Sequence, residues 1–375
     1  MSRENRCTSP HVIVKLLFIN RIGDSVAREA TLPMRNGLPR ILIIRLSAIG
    51  DVVRVLPALH CVRDAHPNAQ IDWVVESKSA DVVNDHPDID DVLVFERPSP
   101  RPARTFAALC KMIRTRRYDI VIDFHGILKS GLIAFASGAR ERYGFSPPRA
   151  QEFSYLFTNH KVKLGPEIAN RIHENLALVE PLAPGRKKLD VTISVPDHVQ
   201  ETVEEYFHET FDGAKWVVAM HVPVDRQEKQ WPLEHFAALA DMLLADGRFE
   251  VMLTYGPGQE DLVRRVELLS NRHPIIAPQP SSLKEYAWIA RCADLYFGGD
   301  TGPMHIASAM ETPVVAVFGG TDPEKHAPLR RPYSVLTAGN TTSEASDGTA
   351  AQRLRRVTPE AAYDACVAIA TGRVV

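Results

Sequence analysis

The chain has 375 residues, 45% of them hydrophobic and 24% charged, a makeup that fits a globular protein with room for two or three domains and excludes disorder and fibrous repeats. Its 44 Lys and Arg against 46 Asp and Glu leave a formal charge of -2, which gives no basis for a nucleic-acid partner. Five single cysteines (Cys7, Cys61, Cys110, Cys292, Cys366) without CxxC spacing fit a reducing cytoplasm, and no apolar run approaches the length of a membrane span.

Residues 1–39 show no clear period and read as a poorly ordered N-terminal extension; a chain starting at Met34 would enter its first strand within a few residues. From Arg40 short β-rich runs alternate with helical patterns: ILIIR, a helix to Ala65, QIDWVV, DVLVF, an amphipathic helix and DIVIDF. Pro57 predicts a kink or a fresh helix start. After a linker at Pro181 to Lys188 (PLAPGRKK) the alternation resumes with WVVAM, a helix from Pro232, EVMLTY, a helix from Gln259, ADLYFG, a helix from Pro303 and PVVAVFG. The polar GNTTSEASDGTA reads as a mobile loop, followed by a last helix over about Pro359 to Thr371. The expected fold is α/β, with two Rossmann-like doubly wound domains over residues 40–185 and 186–375. Such sheets bind ligands at the carboxyl ends of their strands, so two facing units create a cleft.

The candidate chemistry sits in turns at those strand ends. In RLSAIGD (Arg45 to Asp51), Gly50 permits a tight turn and Asp51 opens the next helix, either as a helix cap or as a general base. In GGDTGPMHIASAM (Gly298 to Met310), Asp300, Thr301 and Gly302 precede a Pro suited to the first helical turn, so backbone amides there can meet a diphosphate, with His305 one turn in. Lys229, in HVPVDRQEKQWPLEHF, is a candidate phosphate clamp, and Glu260, after YGPGQ, can accept from ribose hydroxyls. As a GxGxxG dinucleotide fingerprint that turn fails, because Asp261 occupies the third glycine position. In DFHGILKSG, Lys129 and Ser130 open a helix at the same cleft and could hold an anionic acceptor, though a capped helix start explains them nearly as well.

Between Arg97 and Arg117 seven basic residues (Arg97, Arg101, Arg104, Lys111, Arg114, Arg116, Arg117) occur without one acidic residue, while Phe106, Leu109, Cys110 and Ile113 mark a core-facing stripe. The basic face is ordinarily a solvated surface and would also suit anionic lipid headgroups. Asp88 and Asp90 match a short DxD pattern of metal-dependent sugar transferases, but they stand in a Pro- and Asp-rich turn where acids are expected anyway. No metal site is expected: the phosphate turn offers cations and amides, with Asp300 its one carboxylate.

Taken in order, ILIIRLSAIGDVVRVLPAL, IDWVVE, DFHGILKSG, KQWPLEHF and GGDTGPMHIASAMETPVVAVFGGTDP resemble the lipopolysaccharide heptosyltransferases of glycosyltransferase family 9, over about Arg40 to Pro328. The resemblance implies the GT-B architecture and inverting transfer of heptose from ADP-heptose to the Kdo/inner-core region of lipopolysaccharide, closest to heptosyltransferase I. It implies Asp51 as catalytic base, Lys229 as the phosphate lysine, Asp300, Thr301, Gly302 and His305 as the diphosphate turn, and Glu260 as the ribose acid. It further implies a Kdo-lipid A acceptor and a cytoplasmic enzyme, with peripheral contact at an anionic inner membrane. Pro223-Val224-Asp225 departs from the small or hydroxylated residues common there, since Pro lacks an amide and Asp repels phosphate. A nucleotide-sugar epimerase of the same architecture and a non-catalytic nucleotide-sugar-binding module are the alternative readings.

Overall fold

The computed structural model describes residues 38–372, apart from residues 98, 187–188, 190, 192 and 342–347. Met34 and the middle of the GNTTSEASDGTA stretch therefore lie outside the described residues. The first unit runs β1 (Arg40–Ile44), α1 (Ile49–Val53), α2 (Leu56–Ala65), β2 (Gln70–Glu76), β3 (Asp91–Phe95), α3 (Pro102–Arg116), β4 (Ile120–Asp123), α4 (Leu128–Ser137), β5 (Glu141–Phe145), β6 (His160–Val162) and α5 (Arg171–Val179). The second runs α6 (Asp197–Thr210), β7 (Trp216–His221), α7 (Leu233–Asp246), β8 (Phe249–Thr254), α8 (Glu260–Leu269), β9 (Ile275–Ile276), α9 (Leu283–Cys292) and β10 (Leu295–Gly299). It continues through α10 (Gly302–Ala309), β11 (Val314–Val317), α11 (Pro323–His326), β12 (Tyr333–Leu336), α12 (Ala338–Thr341), α13 (Ala350–Arg356) and α14 (Pro359–Ala370).

Each unit is a six-stranded sheet, in the orders β3-β2-β1-β4-β5-β6 and β12-β11-β10-β7-β8-β9. Every pairing in both is parallel. Counted from β7, the second order is the first read backwards, so both follow the 3-2-1-4-5-6 order of the Rossmann fold. The strand order reverses between β1 and β4 and between β7 and β10, and there the crevices open.

The strands read as unbroken apolar runs because helices cover both faces. In β1, Ile41 and Ile43 enter one core cluster and Leu42 and Ile44 the other, the two-residue alternation of a strand. In β7, Val218 and Met220 face one layer, Val217 and Ala219 the opposite one. Pro57 begins a fresh helix, α2, within its first turn. Packing continues past the Pro181 to Lys188 linker: Ile193 and Val195 bury in the cluster of Leu178, Val179 and Leu182. That cluster also takes in Tyr286, Ala287, Ile306, Ala309 and Met310, so the two units share apolar contact through α9 and α10.

Candidate functional site

Both sets of predicted turns fall at the strand-order reversals. Asp51 follows β1 and the DFHG turn follows β4; Lys229 follows β7 and Asp300 follows β10. The register sets Ile44 beside Asp123 and Gly298 beside His221, so each pair of loops leaves its sheet at the same level.

Asp51 is not the helix cap. The N-cap of α1 is Ala48, which makes no side-chain cap bond, and the Asp51 carboxylate instead lies between two arginines. Arg45 Nη2 contacts one carboxylate oxygen and Arg54 Nη2 lies 3.3 Å from the other, while a third of the Asp51 side chain stays open to solvent. Burial pushes the Asp51 carboxyl up, but Arg45 and Arg54 reverse this and hold it well below the ordinary carboxylate range. The guanidiniums are themselves fixed. Arg45 Nη1 donates to Phe124 O (2.9 Å), and Arg54 donates to Gly50 O (3.2 Å) and to His326 Nδ1 (3.0 Å) of the second unit. Arg149 adds bonds to Phe124 O and His125 O (both 3.3 Å), and Glu174 accepts from Arg149 (2.8 Å) and Arg171 (2.6 Å). Four arginines thus surround Asp51 and Glu174, and the sequence reading assigned a role to none of them. The one local signal was Arg54, three residues after Asp51 and so on the same helical face. Arg149 and Arg171 sit among β5, β6 and α5, elements whose polar sequences hid them.

In the second unit, Lys229 Nζ donates to Asp300 Oδ2 at 3.0 Å, and His305 Nε2 lies 3.7 Å from Asp300 Oδ1. Burial would raise the Asp300 carboxyl, and His305 and Lys229 drive it below its ordinary range instead. Asp300 brings no donor to a phosphate; it is the buried counter-ion that fixes Lys229. Thr301 holds the N-cap position of α10 without a side-chain cap bond, Pro303 stands in the first turn, and the amides of that turn lie at the cleft end of the sheet. His305 is 2% exposed, and neither ring nitrogen has a hydrogen-bond partner among the described residues. Burial, with Arg54 adding to it, pushes its pKa down to about 4, so the ring is neutral at pH 7.

The two helix starts meet across the cleft. A Cβ on Gly50 would lie 2.4 Å from His305 Cδ2, so a side chain there would collide with the ring, and one on Gly302 would press on Ile49 at 3.0 Å from its Cβ; the two glycines let α1 and α10 approach closely. The first turns of α1 and α10 are thereby in direct contact, with Asp51 in the first turn of α1. In the departing Pro223-Val224-Asp225 loop, Pro223 is buried, Val224 packs over the bare face of Gly299, and Asp225 points to solvent.

The acceptor residues fare unevenly. Ser130 is fully buried, and its hydroxyl donates to Asp123 Oδ2 (2.8 Å) and accepts from Ile127 N (3.1 Å), so it closes the DFHG turn and cannot reach an acceptor. Lys129 is partly exposed but tied to Glu76 Oε1 (3.1 Å). Glu260 opens α8 and is half exposed, engaged by Arg264 at 2.9 Å. Asp88 Oδ2 accepts from His60 Nδ1 (2.8 Å), and Asp90 accepts from Ile71 N and Arg63 Nη2, both at 2.7 Å. The DxD pair is thus a set of turn ties. Among the described residues no three His, Cys, Asp or Glu are placed to share a metal ion.

The sequence pattern of glycosyltransferase family 9 (heptosyltransferase) matches residues 106–354. Lipopolysaccharide heptosyltransferase 1 of Escherichia coli K12 is 26% identical over 298 residues, spanning 76% of this chain and 89% of that protein. The lipopolysaccharide core heptosyltransferase OpsX of Haemophilus influenzae is 21% identical over 311 residues, 82% of this chain and 86% of its own. Among solved structures, a family 9 glycosyltransferase from Veillonella parvula superposes with a TM-score of 0.76 at 21% identity, covering 89% of this chain and 97% of that one. Escherichia coli heptosyltransferase WaaC with ADP gives 0.67 at 23% identity, over 87% and 98% of the two chains. The two facing Rossmann-like units are the GT-B architecture.

Proposed function

This chain belongs to glycosyltransferase family 9, and on that premise we propose that it is an inverting enzyme moving heptose from ADP-heptose to the Kdo region of the lipopolysaccharide inner core. The observation that carries the reading is the meeting of α1 and α10, which sets a carboxylate of one unit against the anion-ready turn of the other. Asp51 accepts the proton of the acceptor hydroxyl as that oxygen attacks the anomeric carbon from the face opposite the nucleotide. Its low basicity matches a step in which the proton moves late, when the attacking oxygen has already become acidic. Lys229, held by Asp300, and the amides at Thr301-Gly302 take up charge growing on the departing diphosphate. His305, a neutral imidazole with unpaired nitrogens, is available to donate one further hydrogen bond there. Glu260 accepts from the ribose. The surplus of guanidinium around Asp51 suits an acceptor bearing carboxylates, as Kdo does. We assign the leaving-group charge to these groups rather than to a divalent cation.

The test is a purified-protein assay of ADP release from ADP-heptose with and without Kdo-bearing acceptor, and with other nucleotide sugars in place of the donor. Release that requires both partners supports the reading. Isomerisation of the donor without acceptor would replace it with epimerase chemistry, and tight ADP-heptose binding with no turnover would reduce the protein to a binding module.

A further inference from the structure

One polar side chain at the cleft takes no part in the reaction described above: His125, in the DFHG turn at the end of β4. Asp123, 1% exposed, accepts from the amides of His125 (2.9 Å) and Gly126 (3.1 Å) and from the Ser130 hydroxyl (2.8 Å), so the turn is held from within. Arg149 Nη1 donates to His125 O at 3.3 Å and fixes the other backbone group of the residue. With Ser130 buried and Lys129 tied to Glu76, His125 is the polar side chain of this turn left to meet a ligand.

The ring is fixed as well. The Leu46 amide donates to His125 Nδ1 at 3.3 Å. A ring nitrogen that accepts carries no proton, so in the neutral imidazole the proton sits on Nε2. Burial, with Arg45 adding to it and Asp51 opposing, pushes the pKa down to about 3, and the ring is neutral at pH 7. Nε2 makes no hydrogen bond among the described residues and, unlike the nitrogens of His305, is open to solvent. The register pairs Ile44 with Asp123, so Leu46 and His125 both stand two residues past the paired strand ends, at the reversal of strand order where Asp51 lies.

We propose that His125 Nε2–H donates a hydrogen bond to an oxygen of the acceptor sugar and thereby sets how the attacking hydroxyl points at Asp51. This deepens the acceptor side of the proposed reaction and rests on that reading. The arginines around Asp51 supply charge, which attracts a carboxylate from many directions. A neutral ring anchored through its own backbone and through Nδ1 offers one donor in one direction, and it needs no rearrangement when the acceptor arrives. The same tautomer bars His125 from the base role: its nitrogen lone pair is occupied by Leu46 N, so the proton of the acceptor hydroxyl goes to Asp51.

Two variants of the full chain separate the two ring nitrogens. In His125→Asn the side-chain oxygen still accepts from Leu46 N, and nothing reaches the place of Nε2. In His125→Gln an N–H reaches that place, and the Leu46 bond is lost. Steady-state kinetics should show kcat/KM for a Kdo-bearing acceptor falling about tenfold in His125→Asn and recovering to within about threefold of parental in His125→Gln, with donor KM and ADP affinity unmoved. Melting temperature should follow the opposite order, falling only in His125→Gln. If His125→Gln is impaired and His125→Asn is parental in kinetics, the ring is a tie for Leu46 and the proposal is overturned. A loss expressed in donor KM overturns it too, by giving Nε2 to the heptose. Nitrogen-15 spectra of the histidine rings supply a readout without turnover: His125 should show the Nε2–H tautomer, and its Nε2 signal should move when free Kdo is added in the presence of ADP. The other tautomer, or an unmoved signal, overturns the proposal. A shift with Kdo in a protein that transfers no heptose would leave the contact standing and remove only the proposed reaction, whereas parental transfer by His125→Asn would remove the contact and leave the reaction.

Discussion

At the reversal of strand order in the first unit, Arg45, Arg54, Arg149 and Arg171 surround two carboxylates, Asp51 and Glu174. At the same topological point of the second unit, Lys229 is matched by Asp300 and His305 is held neutral by burial. The strand order is the same, and the electrostatics differ. One crevice carries surplus side-chain cation, while the other has balanced side chains and relies on the amides of a helix start. Topology positions a crevice, and the few loop residues at its rim decide what charge it accepts. The division suits an acidic acceptor beside one unit and a diphosphate whose binding must be released after reaction beside the other.

The sharpest way to break this comparison is Asp51→Asn, which should lower turnover at least about a hundredfold while ADP affinity stays near the parental value. Equal losses in both, read by steady-state kinetics and calorimetry, would move Asp51 to the nucleotide side. Lys229→Met should weaken ADP binding by roughly ten- to a hundredfold and adenosine binding little if its proposed partner is a phosphate, since a charged hydrogen bond contributes about 1.5–3 kcal/mol. It also strands the buried Asp300 carboxylate, so the melting temperature should fall. A Lys229→Met, Asp300→Asn double variant should recover melting but not ADP affinity, which separates the two roles. If the double variant also restores ADP binding, Lys229 serves the fold alone.

A third test concerns protons. Burial holds His125 and His221 at about 3 and His305 at about 4, below the roughly 6.5 of an unfolded imidazole. Between about pH 6.5 and 4 the unfolded chain therefore binds more protons than the folded one, and stability falls as pH is lowered through that window. Each such histidine contributes up to about 1.4 kcal/mol per pH unit. His221, whose Nδ1 lies 3.0 Å from Thr254 Oγ1, is the cleanest probe: His221→Asn should flatten the slope of melting temperature against pH. An unchanged slope would assign the acid sensitivity elsewhere. Arg54→Gln removes one of the two guanidiniums holding Asp51 down, so the acid limb of kcat/KM should move to higher pH by about one unit. A limb that stays in place would mean that another group sets it. The smallest expected effect is that of EDTA, which should leave transfer nearly unchanged, with at most modest stimulation by magnesium. Loss of activity in EDTA with rescue by magnesium or manganese, absent in Asp88→Ala or Asp90→Ala, would reverse that assignment.

Local pattern determined a great deal of this protein. Two-residue alternation and apolar runs are properties of short windows, so β1 to β4, β7, β8, β10 and β11 were legible, as were the turns that follow them. Strands β5, β6, β9 and β12 were not. The β5 sequence ERYGF mixes charge and glycine, and β6 and β9 are two or three residues long, so their existence depends on the neighbouring strand already being in place. Site residues divide in the same way. Gly50, Asp51, Thr301 and Gly302 follow from strand-turn-helix grammar. What Asp51 touches, which carboxylate holds Lys229 and why Ser130 is withdrawn were decided by tertiary contact. Arg54 meets His326 across 272 residues and Lys229 meets Asp300 across 71, while Ser130 bonds a carboxylate seven residues back only because that turn is buried. Helix α4 shows the limit most plainly. LKSGLIAFAS has the makeup of a wholly buried helix, and its sequence does not reveal which apolar side the sheet leaves uncovered. Periodicity reports what a segment can bury; only packing decides which faces find a neighbour, because burial and ion pairing are set by distances between segments that the linear order does not contain.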